Sequence, residues 1–148
     1  MDKDLTQITS VPNVGGAFVC DNRGDVIVSS DPAVLATVTM NTIGREVGRA
    51  FVALDAAHSP AQRLDFSYDR WRLLAQDIGE AVLFVVCQPE ADMSIVRMSA
   101  DVVVAGWRKD ASAQKRLQRA SIERKALVKS SSLDQGSMHS WSIIESAR

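Results

Sequence analysis

Two cysteines, two histidines and two glycine-bearing stretches are the residues of this 148-residue chain best placed to do chemistry. Cys20 and Cys87 each fall in an apolar run, with no C-x-x-C partner and no neighbouring histidine. That setting makes them small core hydrophobes in preference to metal ligands or a redox pair. A disulfide between them is the secondary alternative, and a reducing compartment suits them better. His58, in a loop, and His139, near the C-terminus, have no ligand-like cluster beside them, so no metal site is expected. Gly15-Gly16 precedes a strand instead of opening a helix, where backbone N–H groups would cradle a phosphate. Gly44-Arg45-Glu46-Val47-Gly48 lies inside a helical pattern and is no dinucleotide fingerprint, and G-x-x-x-x-G-K-[S/T] is absent. There is no G-x-S-x-G elbow for a serine nucleophile, and the acids are scattered over turns and caps without pairing. The expectation is a non-enzymatic protein without cofactor or metal, whose function resides in its surfaces.

Composition agrees with a folded domain: 46% of residues are hydrophobic and the net charge is −1, which gives no global attraction to nucleic acid or acidic lipid. The charge is uneven, however. From Arg108 to Lys129 eight basic residues face only Asp110 and Glu123. The run reads as a solvated helix face or as a docking element for an anionic surface. No aromatics interleave with it, which counts against single-strand nucleic-acid binding, and no nucleic-acid partner is expected. The start, Met1-Asp2-Lys3-Asp4, lacks the features of a signal peptide, and the longest apolar run, Ala81 to Cys87, is too short to cross a bilayer. A cytoplasmic protein without integral membrane association is expected.

The elements follow from periodicity and punctuation. Lys3 to Thr9 suits a short helix ended before Pro12. Ala17-Phe18-Val19-Cys20 and Val26-Ile27-Val28 flank the turn Asp21-Asn22-Arg23-Gly24, predicting a β-hairpin. Asp31-Pro32 is a helix start, and the helix should run to Ala56 or Ala57, before Pro60. Ala36, Met40, Ile43, Val47, Ala50, Phe51 and Leu54 form its core stripe. Beside them lie Thr37, Asn41, Gly44 and Gly48. Glycine inside a helix costs about 1 kcal/mol relative to alanine, so two on one side imply the close approach of another backbone, either this chain's own sheet or a second subunit. Val34, Val38 and Val52 lie further round and would leave apolar surface exposed in a monomer.

Arg63 to Tyr68 alternates, with Leu64, Phe66 and Tyr68 on one face, as expected of an edge strand. Asp69-Arg70 turns into a strand from Trp71 to Gln76, and the unbroken apolar run Ala81–Cys87 predicts a central strand covered on both faces. Asp92 caps the next helix, with an expected core stripe of Ile95, Ser99, Val102, Val103 and Gly106 and with Arg97, Asp101 and Arg108 in solvent. A third helix is expected from Ala111 to Lys129, with an apolar line of Ala113, Leu117, Ala120, Leu127 and Val128. The Ser-rich stretch 130–148 reads as a flexible tail.

This order of elements, with Ile8-Thr9-Ser10-Val11-Pro12-Asn13-Val14-Gly15-Gly16-Ala17 leading into the first strand and Asp21-Asn22-Arg23-Gly24 in the hairpin, resembles the Roadblock/dynein light chain family over roughly Leu5 to Lys109. Longin and other profilin-like sensor domains share a similar strand order. The resemblance implies an α+β, profilin-like α/β/α sandwich: a five-stranded antiparallel sheet between a long helix and shorter helices, plus a C-terminal helix. The domain divisions are then 1–110, a basic helix 111–129 and the tail 130–148. It further implies a homodimer with paired long helices and edge strands joined into one sheet, here through Arg63, Asp65 and Ser67. The implied partner is a small Ras-like GTPase, whose hydrolysis some members stimulate and which Arg45 and Arg49 on the exposed side of the long helix would contact. The alternatives are a ligand-sensing or scaffold domain, or an anionic-surface binder acting through residues 108–129.

Overall fold

The computed structural model describes residues 1–30 and 37–119, and of residues 37 and 38 the backbone alone. Helix α1 (Asp2–Thr9) has Asp2 and Asp4 in its first turn, where carboxylates suit the positive helix end, and buries Leu5 and Ile8 on one side. Strands β1 (Val14–Asp21) and β2 (Val26–Ser29) form the expected hairpin. Its turn is tied by the Asp21 carboxylate, which accepts from the N–H groups of Arg23 (2.8 Å) and Asp25 (3.1 Å). Gly24 takes the positive φ of 94° that closes the turn.

Helix α2 (Thr37–Ala56) ends in a Schellman motif, with His58 at φ 59° and hydrogen bonds from Ser59 N–H to Leu54 O and from His58 N–H to Asp55 O. The expected cap at Asp31 lies outside the described residues. Strands β3 (Arg63–Ser67), β4 (Arg72–Asp77) and β5 (Ala81–Cys87) follow, then α3 (Met93–Lys109), capped by Asp92 as expected. Asp110 ends α3 and caps the next helical stretch, α4 (residues 111–119), by accepting from Ser112 N–H at 2.9 Å.

The five strands are all antiparallel in the order β2-β1-β5-β4-β3. The apolar β5 is thus central and the alternating β3 is an edge. Strand alternation supplies a core to each face. On one side Ala17, Val19, Leu74, Leu83 and Val85 pack beneath α1, α3 and α4. On the other, Phe18, Cys20, Leu73, Ala75, Val82 and Phe84 pack beneath Met40 and Val47 of α2, with Phe18 and Phe84 stacked at 4.9 Å. The fold is the expected α+β sandwich. Ala113 and Leu117 are buried in the same core as α1 and α3. The rest of the expected basic helix, with Ala120, Leu127 and Val128, and the tail lie outside the described residues.

The packing face of α3 corrects the sequence expectation. Met93, Val96, Ala100, Val103, Val104 and Trp107 are buried, whereas Ile95 is 46% and Val102 62% exposed. Trp107 turns the helix: its ring is buried and its Nε1–H donates to Asp4 Oδ2 of α1 at 2.7 Å. Arg97 and Asp101, expected in solvent, do keep much of their surface exposed, and they also reach β3, where Arg97 bonds Asp65 and Asp101 bonds Arg63.

Both thiols lie in these cores and are free. Burial is the main cause that pushes Cys20 up from 9.0 to about 12, with Asp21 and Asp25 adding to it. Burial likewise pushes Cys87 up from 9.0 to about 11, with Asp65 raising it further and Arg72 opposing. An unfolded thiol ionises near pH 9 while these remain neutral, so the unfolded state gains stability as pH rises. Urea midpoints should therefore be insensitive to thiol ionisation below pH 9 and should fall between pH 9 and 11. Cys20→Ala/Cys87→Ala should flatten that fall, and a thiol reagent should label the native protein at pH 8 only after unfolding.

Candidate interaction surface

The two edges of the sheet are finished differently. On β2 the outward N–H of Val26 donates to the Asn41 side chain of α2 at 3.3 Å, and the outward C=O of Ile27 accepts from Arg116 of α4 at 3.1 Å. That edge is blunted. On β3 the hydrogen bonds at its ends, Tyr68 N–H to Trp71 O and Asp77 N–H to Gln62 O, fix the alternation of the ladder. Residues 62, 64, 66 and 68 turn their main chain to β4, so Arg63, Asp65 and Ser67 turn theirs outward. No partner for those outward groups exists among the described residues. β3 is an open edge.

The side chains of that edge divide by face. Leu64 and Phe66 are half-buried on the α2 side, and the Tyr68 and Trp71 rings stack at 4.4 Å beyond them. On the α3 side Asp65 is held by Arg97 at 2.9 Å and Arg72 at 3.4 Å. Arg63 pairs with Asp101, and both bond Gln76, the one buried polar side chain among the described residues. The Nε–H groups of Arg63 and Arg72 are buried and have no acceptor among the described residues. Three arginines against two aspartates leave this patch net positive.

Helix α2 approaches the hairpin end of the sheet unequally along its length. Its Asn41–Gly44 side faces the chain's own hairpin: a Cβ on Gly44 would lie 2.9 Å from Cys20 Sγ and from Gly24 Cα. Of the two explanations for glycine here, Gly44 takes contact with its own sheet, and Asn41 is engaged in capping β2. Gly48 is different. A Cβ there would meet only Asn22 O at 3.6 Å, and Gly48 borders an open groove of about 420 Å³. Phe51, Val52, Asp55, Pro60 and Asp77 also line it. Val52 is 65% exposed, Arg45 is exposed, and half-buried Arg49 pairs with Glu46 at 3.3 Å. Val34 lies outside the described residues, as do the side chains of Thr37 and Val38.

The structure therefore gathers Arg63, Asp65 and Ser67 on one sheet edge, and Arg45, Arg49 and Val52 on the outer part of α2, with Gly48 beside them at the groove. Among the described residues no cluster of His, Cys, Asp and Glu could hold a metal, and no helix is long and apolar enough to cross a membrane. Sequence reasoning missed Gln76 and the tertiary pairs Arg97–Asp65 and Arg63–Asp101, which only the placement of α3 over β3 creates. It took Ile95 and Val102 for core, whereas both are exposed, as is Met98 beside them.

No protein-family model matches the sequence, and no curated protein does. Solved structures do match the fold. A Roadblock/LC7 domain from Streptomyces avermitilis superposes with a TM-score of 0.64 at 14% identity, covering 74% of this chain and 95% of that one. An MglB with a tetrameric arrangement gives 0.62 at 16% identity, over 80% and 88%. The gliding protein MglB from Thermus thermophilus gives 0.60 at 17% identity, over 82% and 87%. At these identities the likeness is one of fold, and that fold is the Roadblock/LC7 fold the sequence motifs resemble.

The two helix glycines should respond oppositely to alanine. Gly44→Ala forces a methyl into Cys20 and the Gly24 backbone and should cost about 1–3 kcal/mol in chemical denaturation. Gly48→Ala places its methyl 3.6 Å from Asn22 O, an ordinary van der Waals contact, and should be neutral or stabilising by up to about 1 kcal/mol.

Proposed function

We propose that this chain is a non-enzymatic, homodimeric regulator or adaptor that binds a small Ras-like GTPase. The observation that carries the proposal is the asymmetry of the sheet among the described residues: on β2 the outward Val26 N–H and Ile27 C=O are taken by Asn41 and Arg116, whereas no outward N–H or C=O group of β3 has a partner. A five-residue edge strand with unpaired groups is a template for a second strand, and a second copy satisfies it symmetrically. The fold match supports the family reading, and the motifs that resemble Roadblock domains supply the GTPase as the class of partner.

In this reading the GTPase docks on the outward flank of α2. Arg45 and Arg49 provide positive charge there and exposed Val52 an apolar contact. Binding energy that favours one switch conformation of the partner over the other shifts its equilibrium; that is regulation without a catalytic residue in this chain.

Ser67→Pro tests the dimer. Ser67 points its N–H away from β4, so proline removes only an outward donor, and an edge strand tolerates it. Light scattering should give twice the 16.1 kDa chain mass for the wild type and the monomer mass for Ser67→Pro, with unchanged circular dichroism. Titration against purified small Ras-like GTPases, loaded with GDP or a GTP analogue, should show nucleotide-dependent binding that Arg45→Glu/Arg49→Glu abolishes without breaking the dimer. A wild-type monomer, or binding indifferent to those charges, would overturn the proposal.

A further inference from the structure

We infer that two copies of the chain join their β3 strands in the register that places Asp65 on the two-fold axis. The inference rests on the homodimer proposed above and specifies which atoms meet in it.

The ladder restricts the choice. Arg63, Asp65 and Ser67 carry the outward main-chain groups, so in a symmetric antiparallel pair one of these residues must stand opposite another of them or opposite a residue of the same parity. The axis therefore passes through a residue, never between two. Three registers fit within the strand, centred on Leu64, Asp65 or Phe66. With Asp65 at the centre, Arg63 faces Ser67 of the second copy and every outward group of the five-residue strand finds a partner. Centring on Phe66 shifts Arg63 opposite Asp69, in the turn beyond the strand. Centring on Leu64 shifts Ser67 opposite Ala61, before the strand begins. Each of these leaves outward groups unpaired.

Side chains on the α2 face favour the same register. It sets Leu64 against Phe66 of the second copy, twice, as non-hydrogen-bonded pairs whose Cα atoms are about 4.5 Å apart. Both side chains are half-buried in the single chain, so the pairing removes their remaining apolar surface from water. Centring on Leu64 would oppose Phe66 to the polar Gln62 instead.

The objection to Asp65 at the axis is its like charge across the two-fold. The structure answers it: each Asp65 is already held by Arg97 at 2.9 Å and Arg72 at 3.4 Å. In this register Arg63 lies diagonal to Asp65 of the second copy, within reach of a long side chain. The patch of each copy is net positive, so the two carboxylates at the axis sit among guanidinium groups instead of repelling across empty space. Asp65 is the residue that allows the arginine-rich faces of two copies to meet.

Disulfide trapping under mild oxidation distinguishes the registers. Leu64→Cys alone, Phe66→Cys alone and an equimolar mixture of the two proteins are compared with the wild type. Its own Cys20 and Cys87 are buried, so the wild type should remain uncrosslinked. The inference predicts a covalent dimer in the mixture and little or none in either variant alone. A crosslink in Phe66→Cys alone, or in Leu64→Cys alone, would move the axis to that residue and overturn the register while leaving the dimer intact. A wild-type dimer that traps in none of the three would overturn β3 pairing, and a wild-type monomer would overturn the dimer itself. Because the half-buried positions affect the core, Arg63→Cys mixed with Ser67→Cys and joined by a short bis-maleimide repeats the test on the other face. That mixture should link and neither variant alone should.

Discussion

The contact between Gly24 and Gly44 is the constraint on which the arrangement of this molecule depends. Two backbones lacking side chains meet there: a Cβ on Gly24 would fall 2.6 Å from Arg45 Cγ and 2.7 Å from Arg45 N, and one on Gly44 would meet Gly24 in return. The close approach presses α2 onto the β1–β2 turn. It brings Asn41 within reach of Val26 and closes the helix over the stacked Phe18 and Phe84. Seated at that end of the sheet, α2 leaves Leu64, Phe66 and Trp71 only half-buried and turns Arg45 and Val52 outward. The apolar margin beside β3 is thus a consequence of where two glycines allow a helix to lie.

The opposite face of the sheet completes the surface by electrostatics. Trp107 and its hydrogen bond to Asp4 fix the rotation of α3, and that rotation carries Arg97 and Asp101 over the edge strands. Charges that would otherwise be solvated organise Arg63, Asp65, Arg72 and Gln76 into one network. Exposed ion pairs contribute little to stability, so its significance is positional. The network holds the side chains of β3 on its α3 side, while no described residue pairs with the outward main-chain groups of the same strand. An edge with ordered side chains and open hydrogen-bonding groups is prepared for one kind of partner strand and disfavours indiscriminate pairing.

Much of this was legible in the sequence, for reasons that differ between elements. The hairpin, the central β5 and the edge β3 were readable because alternation and turn residues are local signals: Asp21 and Gly24 encode a turn, and charges at alternate positions encode an edge. The face of α3 was not readable, because Ile95, Val96, Met98, Val102, Val103 and Val104 are apolar over most of the helix circumference. Periodicity cannot choose a face there, and the choice was made by Trp107 meeting Asp4, distant in sequence. Gly44 and Gly48 look alike in the sequence, yet a Cβ on the first would collide with the hairpin and a Cβ on the second would only touch it. The edge residues of the candidate site were visible by type, while the partners that order them, Arg97 and Asp101, depend on tertiary placement.

The central claim is that the outward groups of β3 are satisfied by a second copy, and residue-resolved hydrogen exchange tests it most directly. The amide N–H groups of Leu64 and Phe66 face β4 and should be protected at every protein concentration. Those of Arg63, Asp65 and Ser67 should be protected in concentrated solution and should exchange progressively faster on dilution, as dimers separate. Exchange of these three amides at unprotected rates over the whole concentration range would contradict the account, because the edge would then be open to water and joined to nothing.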